Sequence, residues 1–409
     1  MKETLNRTVD KGRLGEGISF YVHIPFCKTK CPYCDFNTYQ GIEPLMGSYM
    51  EALAREIQLW GGTLGSPKVN TIFFGGGTPS YASLESTEGI LGAIVSSFQV
   101  VPGAEITLEA NPGDLNEPAL ARLLEIGVNR LSIGVQSLDD SLLALLGRRH
   151  TGSQAMEAYR LARQAGFRSV SLDLMYGLPY QSMAQWEDTI DKVLELRPLH
   201  LSLYCLTLED GTPMEQQVHR GELPEPDPDL AADMYSHAQE VLGKGGYHQY
   251  EISNWTMPGF QCLHNMAYWL NGPYLGVGPG AHSCLMGHRF WNINSPKSYI
   301  QRVLEWESGG MVAADNLNAD ALKGLGPVEG VESIGPGLAM AETMILGLRL
   351  LDGLSMADFQ VRFGRGPLEL YGPEIEELQQ EGLLERSNGL LRLTRRGCLL
   401  ANQVFMRFL

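Results

Sequence analysis

The sequence is poor in several features that would place a protein outside the cytoplasm or on a nucleic acid. Its 409 residues include only seven cysteines, a number neither dense nor even enough for a disulfide framework. Residues 1–17 lack the apolar run of a signal peptide, and no stretch approaches the roughly 20 apolar residues that span a bilayer. The 31 basic and 47 acidic residues give a net charge of −16, which argues against nucleic acid as a partner. We therefore expect a cytoplasmic protein, for which docking on a membrane surface stays open.

What the sequence does contain is a repeated alternation of β-rich and helical segments between residues 18 and 209. Six short segments read as strands, namely 18–24, 69–76, 105–112, 130–137, 169–177 and 200–209. Apolar residues at three- and four-residue spacing predict intervening helices at 49–60, 117–127 and 182–196. Such βα units indicate an α/β protein with a parallel sheet. Because a closed barrel of this kind needs eight units, six predict a partial (β/α)6 barrel.

The alternation stops after residue 210, and the rest of the chain divides differently. We predict an N-terminal tail (1–17), the barrel (18–250), a mixed region (251–322) and a glycine-rich linker (323–337). Residues 338–409 are predicted to form a mainly helical, winged-helix-like C-terminal domain with one hairpin that turns at 387–389. Winged helices often bind DNA, but the negative net charge favours a lid or an interaction domain here.

Three cysteines lie within eight positions directly after the first predicted strand, at Cys27, Cys31 and Cys34. A structural zinc site is usually closed by four ligands, and no second pair of cysteines follows. A 4Fe-4S cluster takes one thiolate per iron, so three cysteines leave one iron open to an exchangeable ligand. We therefore favour an open cluster over a zinc-stabilised scaffold. The isolated cysteines are predicted to be buried small side chains, and they are Cys205, Cys262, Cys284 and Cys398.

Polar or glycine-rich positions also follow the other predicted strands. The loop GGGTPS (75–80) follows the second strand, and its backbone could approach a ligand closely and offer N–H groups. Glu109, Gln136 and Asp173 end the third, fourth and fifth strands, and Arg148 lies one helix beyond the fourth. Because the carboxyl ends of parallel strands meet at one rim, we expect these side chains to share a ligand.

Together these motifs resemble the radical S-adenosylmethionine superfamily. The segments YVHIPFC, FFGGGTPS, GVQS, DLMYGLP and HNMAYW are similar to its coproporphyrinogen-dehydrogenase-like branch, which includes heme chaperones, and the resemblance covers nearly the whole chain. It implies a 4Fe-4S cluster on Cys27, Cys31 and Cys34. It also implies S-adenosylmethionine contacts at Tyr21, Gly76, Gly77, Thr78, Glu109, Gln136, Arg148 and Asp173.

The segment HNMAYW is the feature that the resemblance associates with heme, and it makes 251–322 a predicted heme-binding region. The implied heme contacts are His264, Asn265, Tyr268 and Trp269. On the residues alone, a core aromatic pair with a hydrogen-bonded histidine is the simpler interpretation. The resemblance instead favours His264 as an axial iron ligand, with His282 and Cys262 as alternatives.

Two functions follow from the resemblance. The first is a heme chaperone that delivers heme to apo-hemoproteins such as respiratory enzymes. The second is an oxygen-independent coproporphyrinogen III dehydrogenase, in which a 5'-deoxyadenosyl radical abstracts hydrogen from propionate side chains before decarboxylation. The oxidising relatives carry a further cysteine where this chain has Phe36, and they lack HNxxYW. We therefore favour the chaperone.

Overall fold

The computed structural model describes residues 16–309 and 317–409, so most of the predicted tail (1–17) lies outside the described residues. The strands are β1 (Ile18–Ile24), β2 (Lys68–Gly76), β3 (Gln99–Ala110), β4 (Arg130–Gln136), β5 (Ser169–Tyr176), β6 (His200–Cys205), β7 (His248–Glu251), β8 (Asn254–Thr256), β9 (Tyr274–Val277), β10 (His282–Leu285), β11 (His288–Asn292), β12 (Val328–Ser333), β13 (Leu354–Ser355), β14 (Leu384–Ser387) and β15 (Leu390–Leu393).

The α-helices are α1 (Met46–Leu64), α2 (Leu84–Ser97), α3 (Glu117–Glu125), α4 (Asp140–Leu145), α5 (Gly152–Ala165), α6 (Met183–Leu196), α7 (Pro213–His219), α8 (Pro228–Lys244), α9 (Leu263–Trp269), α10 (Pro296–Gly309), α11 (Ala319–Lys323), α12 (Pro336–Leu348), α13 (Met356–Phe363), α14 (Pro367–Gln380), α15 (Arg395–Leu399) and α16 (Ala401–Phe405). In the described part of the chain, none of them combines the length and the apolar character that crossing a membrane requires.

The strands β1 to β6 form the parallel centre of a twelve-stranded sheet. Beyond β1 the sheet continues with β9 in parallel and then with β10, β11 and β12 in antiparallel pairing. Beyond β6 the sheet ends with β8, which is antiparallel to β6, and β7, which is antiparallel to β8. The six parallel strands with helical connections confirm the predicted α/β class.

The helices between the parallel strands bury apolar faces against the sheet. In α1, for example, Leu53, Ile57 and Trp60 are buried. Burying such large side chains stabilises the fold by roughly 1.5 to 3 kcal/mol each. The starts of α5 and α6 are set by capping boxes, in which the side chains of Thr151 and Ser182 accept hydrogen bonds from the first turn.

Two strands differ from their predicted bounds by more than two residues. Strand β3 begins at Gln99 rather than at 105, because Gln99 and Val100 pair with β2 before an irregular step in the register. Pro102 and Gly103 lie in that step, and their residue types concealed the early start. Strand β6 ends at Cys205 rather than at 209, where the main chain turns towards the end of β5 and Leu206 donates to Tyr176 O at 2.9 Å.

The prediction of a linker at 323–337 is wrong for the residues that form a strand there. Residues 328–333 form β12, which pairs with β11 and places Gly330 opposite Trp291. A Cβ atom on Gly330 would lie 2.1 Å from a ring atom of Trp291, so this glycine makes room for an indole. The predicted boundary at 250 falls inside β7, and the division into domains stays a prediction.

The C-terminal region contains the predicted hairpin within mainly helical surroundings. Strands β14 and β15 pair around Asn388 and Gly389, both of which have positive φ values, as hairpin turns require. A third strand, β13, completes a small sheet. Helix α12 packs against α9, where Asn271 Nδ2 donates to Thr343 Oγ1 at 3.0 Å. The C-terminal region therefore lies against the HNMAYW segment.

Candidate functional site

A cavity of about 630 Å³ lies at the carboxyl ends of the parallel strands, and we call it the rim cavity. Its lining includes residues that end or follow each of the strands β1 to β6. Every residue predicted to contact the cluster or S-adenosylmethionine lines it: Tyr21, Cys27, Cys31, Cys34, Gly76, Gly77, Thr78, Glu109, Gln136, Arg148 and Asp173. The structure thus brings together side chains that are far apart in sequence, while their individual roles stay predictions.

The cysteine loop after β1 is closed by main-chain and lysine hydrogen bonds. Cys27 N donates to Tyr39 O at 2.9 Å, which joins the start of the loop to its end. The Lys30 ammonium donates to Phe36 O at 3.2 Å and Thr38 O at 3.1 Å. These bonds hold the loop in a turn that directs the three cysteines to one cavity.

Each cysteine sulfur lies near at least one hydrogen-bonding group. Thr78 Oγ1 lies 3.6 Å from Cys27 Sγ, and Arg148 Nη1 lies 3.6 Å from Cys31 Sγ. Thr38 Oγ1 lies 3.9 Å from Cys34 Sγ. Burial raises the pKa of the Cys27 and Cys34 thiols, and the threonine hydroxyls oppose that shift.

Such donors suit sulfurs that carry negative charge, as cluster ligands do. Within residues 16–309 and 317–409, no three His, Cys, Asp or Glu side chains gather closely enough to hold a single metal ion.

The glycine loop after β2 packs directly on the cysteine loop. Gly76 has a φ of +111°, and a Cβ atom there would lie 2.6 Å from the His23 ring. A Cβ atom on Gly77 would lie 2.7 Å from Phe26 O and 2.9 Å from Cys27 Sγ. Side chains at these positions would therefore collide with the end of β1.

Two half-buried carboxyl groups face the same space. Asp173 accepts hydrogen bonds from Ser132 Oγ at 2.8 Å and Ser171 Oγ at 2.9 Å. Glu109 Oε2 accepts the Gly76 N–H at 3.2 Å. Burial, and then the negative charge of Asp173, raise the pKa of Glu109 to about 8. Burial also raises the pKa of Asp173. A ligand with positive charge or N–H and O–H groups would stabilise the ionised carboxylates.

A positive side chain lies on the cysteine side of the cavity. Arg148 Nη2 donates to Gly134 O at 2.8 Å, so its guanidinium lies between β4 and the cysteine loop. Gln136 ends β4 with a φ of +64°, a conformation that is unusual for a residue with a side chain. Because its lining carries Arg148 as well as Glu109 and Asp173, the cavity suits a ligand that carries both signs of charge.

His264 is buried and fully hydrogen bonded on the cavity wall. Its Nδ1 lies 2.8 Å from Thr71 Oγ1, and its Nε2 lies 3.0 Å from Tyr268 OH. Its ring stacks on Phe73 with centroids 5.0 Å apart, and burial lowers its pKa to about 3. Ligation of iron by His264 would require one of these hydrogen bonds to break.

The HNMAYW segment divides between two cavities. His264, Asn265 and Tyr268 line the rim cavity, whereas Trp269 lines a second cavity of about 530 Å³ beside the C-terminal region. Tyr268 is four residues beyond His264 and shares its face of the helix. Trp269 is five residues beyond, which rotates it by roughly 140° at 3.6 residues per turn. The two aromatic rings therefore do not face one common space.

The alternative iron ligands lie in different surroundings. Cys262 is buried on the rim cavity with Sγ 3.5 Å from Glu105 Oε1, and burial raises its pKa to about 12. His282 is exposed on β10, and its ring stacks on Trp291 with centroids 5.7 Å apart. Neither residue lines the second cavity.

Some site residues were missed by the sequence reasoning. Cys205, predicted to be buried, is exposed and lines the rim cavity. Cys284, also predicted to be buried, is only half-buried. The carboxylate of Glu105 accepts the N–H groups of Leu263 at 3.1 Å and His264 at 3.0 Å, and so holds the start of α9. Alternation along β3 places Glu105 on the same face as Glu109, a signal that could have identified it.

Comparison with known proteins agrees with this arrangement. The model of the radical SAM superfamily matches residues 21–193, and that of the HemN C-terminal domain matches residues 339–400. The heme chaperone HemW of Lactococcus lactis is 36% identical over 96% of this chain and 97% of its own. HemW of Bacillus subtilis is also 36% identical, over 96% of this chain and 99% of its own.

A solved structure supports the fold. Coproporphyrinogen III oxidase (HemN) from Escherichia coli, described as a radical SAM enzyme, superposes with a TM-score of 0.81. The match covers 96% of this chain and 90% of that one at 23% sequence identity, so it bears on the fold alone. Identity over nearly the full length of the HemW relatives, with the strand-end residues gathered on one cavity, shows that the chain belongs to the HemW family of the radical SAM superfamily.

Proposed function

We propose that this protein is a heme chaperone that binds a 4Fe-4S cluster, S-adenosylmethionine and heme. The observation that carries the proposal is the position of α9, from which His264, Asn265 and Tyr268 line the rim cavity. Tyr21 is a predicted S-adenosylmethionine contact and His264 a predicted heme contact, and the centroids of their rings lie 6.5 Å apart. The name of the full-length relatives, heme chaperone, supports the same function.

The residues of the rim cavity fit both cofactors. Cys27, Cys31 and Cys34 would hold the cluster, whose open iron would bind the amino and carboxylate groups of S-adenosylmethionine. Gly76, Gly77 and Thr78 would meet the amino end of that ligand. The carboxylates of Glu109 and Asp173 would accept its amino or ribose hydroxyl hydrogens, and their partial burial makes those hydrogen bonds stronger than in water.

We further propose that the protein acts in the cytoplasm and passes heme to other proteins. A cytoplasmic chaperone would release heme to apo-hemoproteins such as respiratory enzymes, and docking on a membrane surface would bring it to acceptors held there. The acidic composition supports acceptors other than nucleic acid.

Coproporphyrinogen III dehydrogenase is the second candidate, because the fold is similar to that of HemN. Phe36 argues against it. This side chain is 62% exposed and lines the rim cavity at the position where the oxidising relatives carry a further cysteine. A phenyl ring can neither ligate iron nor transfer a proton, so we favour the chaperone.

One paired measurement separates the two functions. After anaerobic reconstitution with iron and sulfide, we expect saturable heme binding, followed by absorbance, and no conversion of coproporphyrinogen III in the presence of S-adenosylmethionine and a reductant. Turnover to protoporphyrinogen without saturable heme binding would overturn the proposal. Turnover together with heme binding would show that the chain does both.

The ionisation of Glu109 gives a pH-dependent prediction. At pH 6.5 its carboxyl group is mainly protonated, because its pKa is about 8, and it becomes an ionised acceptor as the pH rises to 9. Loss of that acceptor in Glu109→Gln should therefore weaken S-adenosylmethionine binding more at pH 9 than at pH 6.5. We expect the ratio of variant to parent Kd to increase roughly tenfold over this range.

Isothermal titration at several pH values measures that ratio. The amino group of the free ligand titrates in the same range, but its protonation in solution affects both titrations equally and cancels in the ratio. A ratio that stays constant with pH would show that Glu109 does not bind the ligand as a carboxylate.

A further inference from the structure

Asn37, three positions beyond Cys34, binds the cysteine loop to a distant part of the chain. Its Nδ2 donates to Pro279 O and to Asn294 O, both at 3.0 Å. These two acceptors flank the pair of strands at 282–292, which we call the β10–β11 hairpin. The Asn37 side chain therefore joins the loop to the base of this hairpin.

The other polar atoms of Asn37 are also hydrogen bonded. Its Oδ1 accepts the Tyr39 hydroxyl at 2.8 Å, and that hydroxyl lies 3.2 Å from Asn294 O. The main-chain oxygen of Asn37 lies 2.9 Å from His23 Nε2. A side chain whose donors and acceptor all have partners is held in one orientation, because any other would leave a polar atom unpaired.

A tight turn directs Asn37 away from the rim cavity. Thr38 N donates to Phe36 O at 2.6 Å, which makes Asn37 the central residue of a three-residue turn. Phe36 and Thr38 line the rim cavity, whereas Asn37 does not belong to its lining. Asn37 therefore faces the hairpin and can affect the site only by holding the loop.

The base of the hairpin is a rigid support, because a buried carboxyl group of α1 binds it. Glu56 accepts hydrogen bonds from Gly278 N at 2.8 Å and from Asn292 Nδ2 at 2.7 Å. Tyr299 OH donates to the same group at 2.5 Å. Because Glu56 is fully buried, displacing the hairpin base would leave several buried polar atoms without partners.

Gly280 at the hairpin base leaves space for the Asn37 side chain. Its φ is +73°, and a Cβ atom there would lie 2.7 Å from Asn37 Nδ2 and 2.9 Å from Asn294 Oδ1. An added methyl group would therefore push the Asn37 amide away from its two carbonyl acceptors.

The part of the loop that Asn37 holds carries the third cysteine. Thr38, the next residue after Asn37, places its Oγ1 3.9 Å from Cys34 Sγ. Cys34 is half-buried, whereas Cys27 is buried and donates its main-chain N–H to Tyr39 O at 2.9 Å. The position of Cys34 therefore depends more on Asn37 than the position of Cys27 does.

We propose that Asn37 is a positioning residue, which holds Cys34 in place for the 4Fe-4S cluster by anchoring the cysteine loop to the base of the β10–β11 hairpin. This inference rests on the proposed function, of which the cluster is a part. The hairpin would then serve the cluster although none of its residues, all of them described, lines the rim cavity.

The test measures the reactivity of each thiol in the full-length apo-protein, by alkylation and site-resolved mass spectrometry. Asn37→Asp keeps the shape of the side chain but removes both N–H donors, and Gly280→Ala displaces the amide. In both variants we expect Cys34 to react roughly tenfold faster than in the parent, because local opening becomes easier when ordinary hydrogen bonds are lost. Cys27 and Cys205 should react as they do in the parent.

The reconstituted cluster supplies a second readout. Asn37→Asp and Gly280→Ala should release iron to a chelator roughly tenfold faster than the parent, because partners that orient metal ligands usually contribute at least this much. The electron paramagnetic resonance spectrum of the reduced cluster should also differ from that of the parent. Tyr39→Phe removes only one partner of Asn37, so it should have a smaller effect in the same direction, and it still decides the question if the other two variants fail to fold.

Asn294→Ala is the matched control, because Asn294 accepts from Asn37 through its main-chain oxygen and is otherwise exposed. This variant should match the parent in thiol reactivity and iron release. A parent that takes up no iron would contradict the cluster of the proposed function, whereas the thiol comparison would still test Asn37. Variants in which Cys34 reacts as in the parent, or in which Cys34 and Cys205 are accelerated equally, would overturn the inference.

Discussion

Replacing Cys27, Cys31 or Cys34 with alanine is expected to remove most of the iron and the broad visible absorption of the anaerobically reconstituted protein. Each sulfur lines the rim cavity, and each lies near its own donor, Thr78, Arg148 or Thr38. Because a cluster takes one thiolate per iron, each variant would leave only two of its protein ligands. We expect about four irons per parent chain and fewer than one per variant chain.

The matched control is Cys284→Ala, since Cys284 is half-buried on β10 and does not line the rim cavity. This variant should keep the iron and sulfide content of the parent. Unchanged iron content in all three loop variants would show that the cysteines do not hold a cluster. A parent that takes up zinc but no iron would restore the scaffold hypothesis.

Gly77→Ala is expected to lower both cluster content and stability, although it adds a single methyl group. The new Cβ would lie 2.7 Å from Phe26 O, 2.9 Å from Cys27 Sγ and 3.0 Å from Ile24 O. Two of these atoms belong to the main chain at the end of β1, so relief requires the cysteine loop to move. The free energy of unfolding should fall by roughly 1 to 3 kcal/mol, as overpacking usually costs.

Gly92→Ala is the control for that variant. Gly92 is exposed in α2, and a Cβ atom there meets nothing within 4 Å, so stability should rise by up to about 1 kcal/mol. Chemical unfolding and iron analysis compare both variants with the parent. If Gly77→Ala unfolds at the parent's denaturant concentration and keeps its iron, the close packing of the two loops is wrong.

Helix α9 connects the two cavities of this protein. Glu105 holds its first N–H groups, while Arg362 holds the carbonyl groups beyond its end. His264 on one face lines the rim cavity, and Trp269 on another lines the second cavity beside the C-terminal region.

The parallel sheet and its rim could be predicted because their signals are local. Alternating β-rich and helical segments appear within windows of about ten residues, and the carboxyl ends of parallel strands always lie at one edge. That rule alone placed Glu109, Gln136 and Asp173 together with the cysteine loop, as the structure does. The hairpin of the C-terminal region was predictable for a similar reason, since Asn388 and Gly389 favour the tight turn themselves.

The features that depend on distant partners were decided only by the tertiary structure. Residues 328–333 form a strand because β11 offers an edge to pair with, and Gly330 serves the ring of Trp291. Cys205 is exposed because the chain leaves the sheet beside the rim cavity. The sequence by itself determined the six βα units and the cysteine loop, because periodicity and spacing act between neighbours. The packing of the C-terminal region against α9 decides which cavity each side of this helix faces. That contact is between distant parts of the chain and has no local signal in the sequence.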